Sequence, residues 1–330
     1  MVFLPSAGLI TKIGQGEGKL KVEALGSLLK ILVMLAIGVF CRKTDLLSET
    51  GTNELKKLVT SIVLPIAIFN ALAIAEYDIN MVLLFLIILA LLLLAFGVGF
   101  LAGPILPEPY RHYLPFVTSV YEGGMIAFPL YISLFGEEKL SNIAIFDIAT
   151  MLFCFSVFIS ALQAVESGRK IDVSTMVDCA LHNPVFIAAV LGIFCGLTGV
   201  IKLLTASNAG VIYTSIKDII TAMLNPLILL IVGYNFEFDA KRIVVAAKAI
   251  LVRVVTQGIL FIPIFLFISR LYPHNTFMLG AAFIYMSAPP SLSIQSYIAT
   301  EEPNKFIATV NSLYMIVTLV VYAIVAVLLT

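Results

Sequence analysis

Two apolar segments of this chain, each long enough to cross a lipid bilayer, are interrupted at matching places. The first interruption, at 121–129, reads YEGGMIAFP, and the second, at 285–293, reads YMSAPPSLS. Each segment is followed by a pair of glutamates, at 137–138 and 301–302. Lipid tolerates unpaired backbone groups only where protein or a water-filled cavity covers them. Both breaks are therefore predicted to face the interior of a membrane protein.

The composition supports a membrane protein. Of the 330 residues, 61% are hydrophobic and 12% are charged, with no net charge. Soluble domains carry about 25% charged residues, and a neutral chain offers no case for binding nucleic acid. Ten stretches are long and apolar enough for transmembrane helices, at 24–41, 55–75, 79–102, 112–135, 141–165, 183–202, 211–235, 243–270, 275–298 and 305–329. The sequence therefore predicts an all-α polytopic protein in a lipid bilayer.

The two halves of the chain carry similar polar and proline residues in the same order. The matches lie 161 or 164 positions apart and are Lys56 and Lys217, Thr60 and Thr221, Pro65 and Pro226, Tyr121 and Tyr285, Glu137 and Glu301, Glu138 and Glu302, and Asp147 and Asn311. Five spans precede the polar connecting loop at 166–182, and five follow it. Because five is odd, a repeated five-helix unit enters the membrane from opposite sides. This predicts an inverted repeat with halves at 24–165 and 183–330.

Basic residues predict the orientation. Twelve lysines and arginines lie in or beside the odd-numbered loops, four lie beside the even-numbered loops, and four lie in or next to the N-terminal segment. The positive-inside rule then places both termini outside, and we expect the plasma membrane, which is the inner membrane of a bacterium. Residues 1–23, with three lysines and four glycines, are predicted to be a tail. A short amphipathic anchor is the alternative.

The paired breaks predict a binding site near the middle of the membrane. Proline lacks an N–H group and clashes with the preceding helical turn, and glycine loosens a helix. The resulting half-helices present N-termini with partial positive charge, which suit a small anion such as a carboxylate. The alternative is that glycine and proline only kink these helices, as in many membrane proteins. Breaks at matching positions of two halves favour the site.

Four motifs, in order along the chain, resemble those of the auxin efflux carrier family. They are LPIAIFN at 64–70, the glycine- and proline-containing segment at 123–136, IFD at 145–147 and APPS at 288–291. The resemblance covers residues 24–329. It identifies the chain as a bacterial-type member of this family, which also includes the plant PIN carriers.

The resemblance implies a fold similar to that of bile-acid symporters and sodium–proton antiporters. Helices 1, 2, 6 and 7 would form a scaffold that joins two copies into a homodimer. Helices 3–5 and 8–10 would form a transport domain in which the broken helices 4 and 9 cross. The resemblance also implies elevator-type alternating access and a small organic anion, a carboxylate or an auxin-like compound, as substrate. A shared fold does not by itself choose the substrate.

One position departs from the family pattern. Seven residues before Pro129, where family members usually carry asparagine, this chain has Glu122. An ionised carboxylate is costly inside a membrane unless it is protonated or paired. Glu122 is therefore predicted to carry a proton, or to repel or replace the charge of the substrate. The alternative is a structural carboxylate that faces a water-filled cleft or pairs with a lysine or arginine.

Asp147, Lys248 and Arg253 are further charged residues within predicted spans. Asp147, in the fifth span, is predicted to bind a coupling cation or to hydrogen-bond a broken helix end. A hydrogen bond that only joins two helices is the alternative. Lys248 and Arg253, near the start of the eighth span, are predicted to extend to the membrane interface, with contact to the substrate as the alternative.

The other candidate site residues flank the breaks or face them from the scaffold. The predicted substrate-binding set is Asn70, Tyr121, Glu122, Gly123, Gly124, Tyr285, Ser287, Ala288, Pro289, Pro290 and Ser291. Coupling to a proton or ion is predicted for Glu122 and Asp147, and the predicted helix breaks are Pro129, Pro289 and Pro290. Asn225 and Tyr234 are further candidates from the seventh span. Helix packing is the alternative for Asn70, and satisfaction of local backbone groups is the alternative for the serines.

The sequence thus predicts a secondary transporter of a small organic anion, with proton coupling through Glu122 as one form. The alternative is a membrane sensor or scaffold that keeps the carrier fold and binds a ligand without net transport. Enzyme motifs are absent, since the chain has no His-Glu-x-x-His sequence and no supported serine–lysine or serine–histidine set. We expect no cofactor and no metal, and the lack of a P-loop argues against transport driven by ATP on this chain.

Overall fold

The computed structural model describes residues 28–167, 180–236, 239–273, 275–296 and 300–329, together with 26, 177, 178 and 298. Within these residues all regular secondary structure is helical. The predicted tail at 1–23 and most of the predicted loop at 166–182 lie outside the described residues.

The first half contains five helical elements, of which the fourth is interrupted. They are α1 (28–43), α2 (Glu49–Ala73), α3 (Ile79–Ile105), α4a (Leu114–Ser119) with α4b (Gly123–Phe135), and α5 (Glu137–Glu166). The second half follows the same order. Its elements are α6 (Pro184–Thr198), α7 (Asn208–Tyr234), α8 (Ala240–Leu271), α9a (Thr276–Met286) with α9b (Leu292–Ser296), and α10 (Glu301–Leu328). A short helix, Val200–Thr205, lies between α6 and α7.

Six described helices are long and apolar enough to cross a membrane, namely α2, α3, α5, α7, α8 and α10. The shorter apolar helices are α4b, α6 and α9a. Many leucine, isoleucine and valine side chains on the outer faces are exposed, as at Leu197, Leu203 and Ile219. Such faces suit lipid, because an apolar side chain loses nothing by facing hydrocarbon.

Local capping residues set the start of α2 and the end of α6, two boundaries that hydropathy alone misplaces. The hydroxyl of Ser48 accepts a hydrogen bond from the N–H of Gly51 at 3.0 Å, so α2 begins at Glu49 and not at the predicted residue 55. The first turns of α2 are polar, which hid them from a search for apolar residues. In the second half, α6 stops at Thr198 because Gly199 adopts a left-handed conformation with φ 71°.

Glycines allow two scaffold helices, α1 and α7, to touch through their backbones. A methyl group on Gly38 would collide with the carbonyl oxygen of Leu230 and lie 2.6 Å from the backbone nitrogen of Tyr234. A methyl group on Gly233 would collide with the carbonyl oxygen of Leu35. Small residues at such crossings let membrane helices gain close packing, which drives their association.

Replacing Gly38 with alanine is expected to destabilise the protein. The added methyl group must push α1 away from α7, at a cost of about 1–3 kcal/mol. Thermal unfolding in detergent, followed by circular dichroism, should show a lower midpoint. Gly97→Ala is the matched control, because nothing lies within 4 Å of a methyl group there. An equal loss in both variants would contradict the close α1–α7 contact.

Candidate functional site

The two helix breaks meet inside the protein. The first break is the extended segment 120–122 between α4a and α4b, and the second is 287–291 between α9a and α9b. We call these two segments the crossover. The N–H of Glu122 donates a hydrogen bond to the carbonyl oxygen of Pro289 at 2.8 Å, and the rings of Tyr121 and Tyr285 lie 5.3 Å apart. The fold therefore brings the two predicted breaks, 164 residues apart in sequence, into direct contact.

Pro129 does not break its helix. It lies inside α4b (Gly123–Phe135), two residues after the π-helical turn, and the helix continues through it. The break itself is at 120–122. The prediction that Pro129 marks a break is therefore wrong, whereas Pro289 and Pro290 do lie in the irregular segment after α9a.

The carboxylate of Glu122 accepts hydrogen bonds from both half-helices that leave the crossover. One oxygen accepts from the N–H of Leu292 at 2.6 Å and from the hydroxyl of Ser291 at 3.4 Å. The other oxygen accepts from the N–H of Met125 at 3.3 Å. Leu292 begins α9b and Met125 lies in the first turn of α4b. A side-chain carboxylate thus satisfies donors that the two breaks leave without a helical partner.

A buried arginine donates hydrogen bonds to carbonyl groups at both breaks. Arg253, on α8, is 0% exposed. Its guanidinium donates to the carbonyl oxygen of Val117 in α4a, and to that of Ala288 in the second break at 2.8 Å. The same group lies 5.0 Å from the ring centre of Tyr121 and 4.9 Å from that of Tyr314. One cation therefore holds a free carbonyl from each broken helix.

Two further side chains complete this set of contacts. Gln257, one turn along α8 from Arg253, donates to the carbonyl oxygen of Thr118 at 2.6 Å and accepts from the hydroxyl of Tyr121. Thr318, on α10, donates to the carbonyl oxygen of Ser287 at 2.6 Å. The carbonyl groups in the last turn of α4a and those just after α9a are thus hydrogen-bonded by side chains instead of by a continuing helix.

The sequence-based placement of Arg253 at the membrane interface is wrong. Its charge is held in the interior because the broken helices supply carbonyl oxygens there, whereas Lys248 on the same helix is exposed. Gln257 was missed altogether. A usable signal existed, since Arg253 and Gln257 are spaced four residues apart and so share one face of an apolar helix.

Asp147 links α5 to the second broken helix. Its carboxylate accepts a hydrogen bond from the hydroxyl of Tyr285 at 2.8 Å. Glu122 is close enough to Asp147 to interact with it electrostatically. This hydrogen bond fits both the predicted contact with a broken helix end and the interhelical alternative, and cation binding by Asp147 stays a prediction.

A cavity of about 420 Å³ opens between the crossover and α5. We call it the α5-side cavity, and Glu122, Asp147 and Lys56 contribute its charged groups. Three π-helical turns contribute to its wall, at Val59–Val63 in α2, Gly123–Ala127 in α4b and Cys154–Phe158 in α5. Turns of this kind are frequent at functional sites.

A second cavity, of about 550 Å³, lies on the other side of the crossover, against α10. We call it the α10-side cavity, and Arg42, Glu49 and Lys56 contribute its charged groups. Asn311, the repeat match of Asp147, lines this cavity and is 5% exposed, and neither polar atom of its amide has a hydrogen-bond partner among the residues that the structure describes. Lys56 and Leu292 line both cavities.

Some of the remaining predicted residues line one of the two cavities, and others make contacts elsewhere. Gly123, Gly124 and Ser291 line the α5-side cavity. Tyr234 lines the α10-side cavity. Asn70 lines neither of these cavities. Its side-chain oxygen accepts a hydrogen bond from the hydroxyl of Tyr213 at 3.0 Å, a contact between helices that agrees with the packing alternative. The hydroxyl of Ser287 donates to the carbonyl oxygen of Ile284 at 3.1 Å. The side-chain oxygen of Asn225 is buried and has no hydrogen-bond partner among the described residues.

Arg253→Gln is expected to lower stability strongly. The shorter, neutral side chain leaves buried carbonyl groups of both broken helices unpaired, and each such group costs about 1–3 kcal/mol. The thermal midpoint in detergent should fall by many degrees. Lys248→Gln removes an exposed charge from the same helix and should leave the midpoint unchanged. A small effect of Arg253→Gln would mean that water or neighbouring groups replace the guanidinium.

Gly123→Ala should disturb the crossover much more than Gly124→Ala. A methyl group at Gly123 would collide with the carboxylate of Asp147 and lie 2.9 Å from the ring of Tyr285, two groups held by their mutual hydrogen bond. At Gly124 the nearest atom, at 2.7 Å, is the end of the Leu64 side chain, which can move. We expect a loss of about 1–3 kcal/mol for the first variant only, measured by thermal unfolding. Equal midpoints would contradict this packing.

Comparison with known proteins agrees with this architecture. The family described as "Membrane transport protein" matches residues 23–329, nearly the whole chain. A search of curated proteins finds no match. The resemblance to auxin efflux carriers that the four motifs indicated is thereby confirmed. The apolar helices and the match together show that the chain is an integral membrane protein that belongs to the membrane transport protein family, the family of the auxin efflux carriers.

Proposed function

We propose that the protein is a secondary transporter that carries a small organic anion together with a proton, which binds to Glu122. The observation that carries this proposal is the set of hydrogen bonds to the Glu122 carboxylate from Leu292, Ser291 and Met125. Donors of this kind, at the ends of broken helices, are the groups with which membrane carriers bind an anion. In this chain an internal carboxylate already holds them.

Protonation of Glu122 would make these donors available. A neutral carboxyl group accepts hydrogen bonds less strongly than a carboxylate and carries no charge to repel an anion. A substrate carboxylate can then take its place among the same donors. The proton and the anion therefore bind together, and an imposed proton gradient drives uptake of the anion.

Alternating access of the elevator type follows from the division of the helices. The scaffold would comprise α1, α2, α6 and α7, and the transport domain α3–α5 and α8–α10. The contacts of Glu122, Arg253 and Gln257 all join members of the transport domain. Both cavities, by contrast, are lined by α2 on one side and by transport-domain helices on the other. These features support a rigid transport domain that slides along the scaffold.

Several finer features belong to the same proposal. The matching order of helices, with an interruption in α4 and in α9, supports two inverted five-helix repeats that make ten membrane-crossing units. We place both termini outside the plasma membrane, from the distribution of basic loop residues. We assign the exposed apolar faces of the scaffold helices, such as those at Leu197 on α6 and Ile219 on α7, to lipid and to a second copy in a homodimer.

Uptake into liposomes tests the proposal. The purified protein is reconstituted, and radiolabelled small carboxylates are offered with and without an inward proton gradient. Saturable uptake that rises with the gradient is expected. Because one proton is taken up with each anion, the affinity for the anion should rise about tenfold for each unit by which the pH falls, over the range where Glu122 of the empty carrier is ionised.

Glu122→Gln is expected to remove the effect of the proton gradient on uptake, since the amide carries no titrating proton. Glu76→Gln, which removes an exposed carboxylate between α2 and α3, is the matched control and should behave like the parent protein. Uptake by Glu122→Gln that still follows the gradient would remove Glu122 from the coupling. Specific binding of a carboxylate without any flux would instead favour the sensor function.

A further inference from the structure

A charged contact joins the scaffold to the transport domain between the middle of α7 and the start of α5. Glu137, at the start of α5, accepts a hydrogen bond from the hydroxyl of Thr221 at 2.9 Å and lies 3.5 Å from the ammonium group of Lys217. The side chains of Lys217 and Glu137 are only 16% and 28% exposed. Because α7 belongs to the proposed scaffold and α5 to the proposed transport domain, sliding of one along the other must break this contact.

The sequence contains the same three residues a second time. Lys56 and Thr60, on α2, match Lys217 and Thr221, and Glu301, at the start of α10, matches Glu137. The glutamate again begins a helix of the transport domain, and the lysine and threonine again lie one turn apart on a scaffold helix. An inverted repeat places this second set at the opposite end of the molecule.

In this structure the second set is open. Lys56 lines both cavities and is close enough to Glu122 to interact with it electrostatically, but it forms no ion pair within 4 Å with any residue that the structure describes. The hydroxyls of Thr60 and Thr221 both lie near the carbonyl oxygen one turn earlier in their own helices, at 2.9 and 3.0 Å. Of the two, Thr221 also contacts a glutamate, Glu137, within the described residues. Glu301, 77% exposed, pairs with Lys305 on its own helix. One set is therefore joined while its match is separated, with the cavities opening beside the separated one.

We propose that these two sets are alternating latches. The contact of Glu137 with Lys217 and Thr221 holds the conformation described here, and a contact of Glu301 with Lys56 and Thr60 holds the opposite conformation of the transport cycle. The inference rests on the alternating access in the proposed function. It does not depend on Glu122, on protons or on the nature of the substrate.

An exchange of matched latches keeps the two conformations close in free energy. When the latch at one end of the molecule opens, a latch of the same chemistry closes at the other end. Glu301 and Lys305 are four residues apart and both exposed at the start of α10, and exposed pairs of this kind contribute little. Glu301 can therefore leave Lys305 at small cost, and each latch shifts the population of its own conformation.

Labelling of a cysteine placed beside the open latch tests the proposal. Asn53, on α2 one turn before Lys56, is exposed and lines the α10-side cavity. Asn53→Cys is reacted with N-ethylmaleimide in detergent, and modification of its peptide is followed by mass spectrometry, which separates it from the native cysteines. The rate should be fast in the described conformation and slow when Glu301 covers this end.

The two latches should respond in opposite directions. In the Asn53→Cys background, Glu137→Gln is expected to lower the labelling rate roughly threefold, and Glu301→Gln to raise it by a similar factor. The double variant should return to the parent rate. Glu138→Gln and Lys305→Gln are the matched controls: the first should leave the rate unchanged, and the second, which frees Glu301, should not raise it.

Changes in the same direction for Glu137→Gln and Glu301→Gln, or no change in either, would overturn the latches. If Glu137→Gln fails to fold, Thr221→Val removes the same contact from the scaffold side and should also lower the rate. The assay uses no substrate. A failure of carboxylate uptake with opposite labelling shifts would reject the proposed substrate alone, whereas normal uptake without labelling shifts would reject the latches alone.

Discussion

Everything at the centre of this protein depends on how two interrupted helices satisfy their backbone groups away from water. An uninterrupted helix bonds these groups internally, but the breaks at 120–122 and 287–291 leave N–H groups on one side and carbonyl groups on the other. Glu122 accepts from the N–H groups, and Arg253 and Gln257 donate to the carbonyl groups. Opposite charges are thus placed at opposite ends of the crossover, each where the backbone attracts it.

The sequence was informative where a pattern has only one physical solution. Breaks at matching places in two halves, each within an apolar span, pointed to the crossover. A glutamate, Glu122, at a position where family members usually carry asparagine pointed to the charged group there. Arg253 was misplaced because the same side chain near a helix end can extend to the interface or turn inward, and only the neighbouring carbonyl groups decide. Pro129 was misread because the sequence does not reveal the π-helical turn just before it, after which the helix continues through the proline.

Two residues connect the crossover with its surroundings. Lys56 and Leu292 border both cavities, and the N–H of Leu292 is also the nearest donor to Glu122. The cavities differ in a way that the repeat explains, since Asp147 on one side is replaced by Asn311 on the other. The carboxylate of Asp147 is hydrogen-bonded to Tyr285, whereas the amide of Asn311 has no hydrogen-bond partner within the described part of the chain. The symmetry of the fold is therefore broken by chemistry at the site.

The π-helical turns around the α5-side cavity have a mechanical consequence. A π turn holds one residue more than an α turn, and moving that surplus residue along a helix rotates the segment it passes by about 100°. Three elements of the cavity wall, α2, α4b and α5, each contain such a surplus. Movement of these turns would change which side chains the wall presents without unwinding a helix. Among the described residues, α4a, α8, α9a and α10 on the Arg253 side contain no such turn, so the movement would be confined to one face of the crossover.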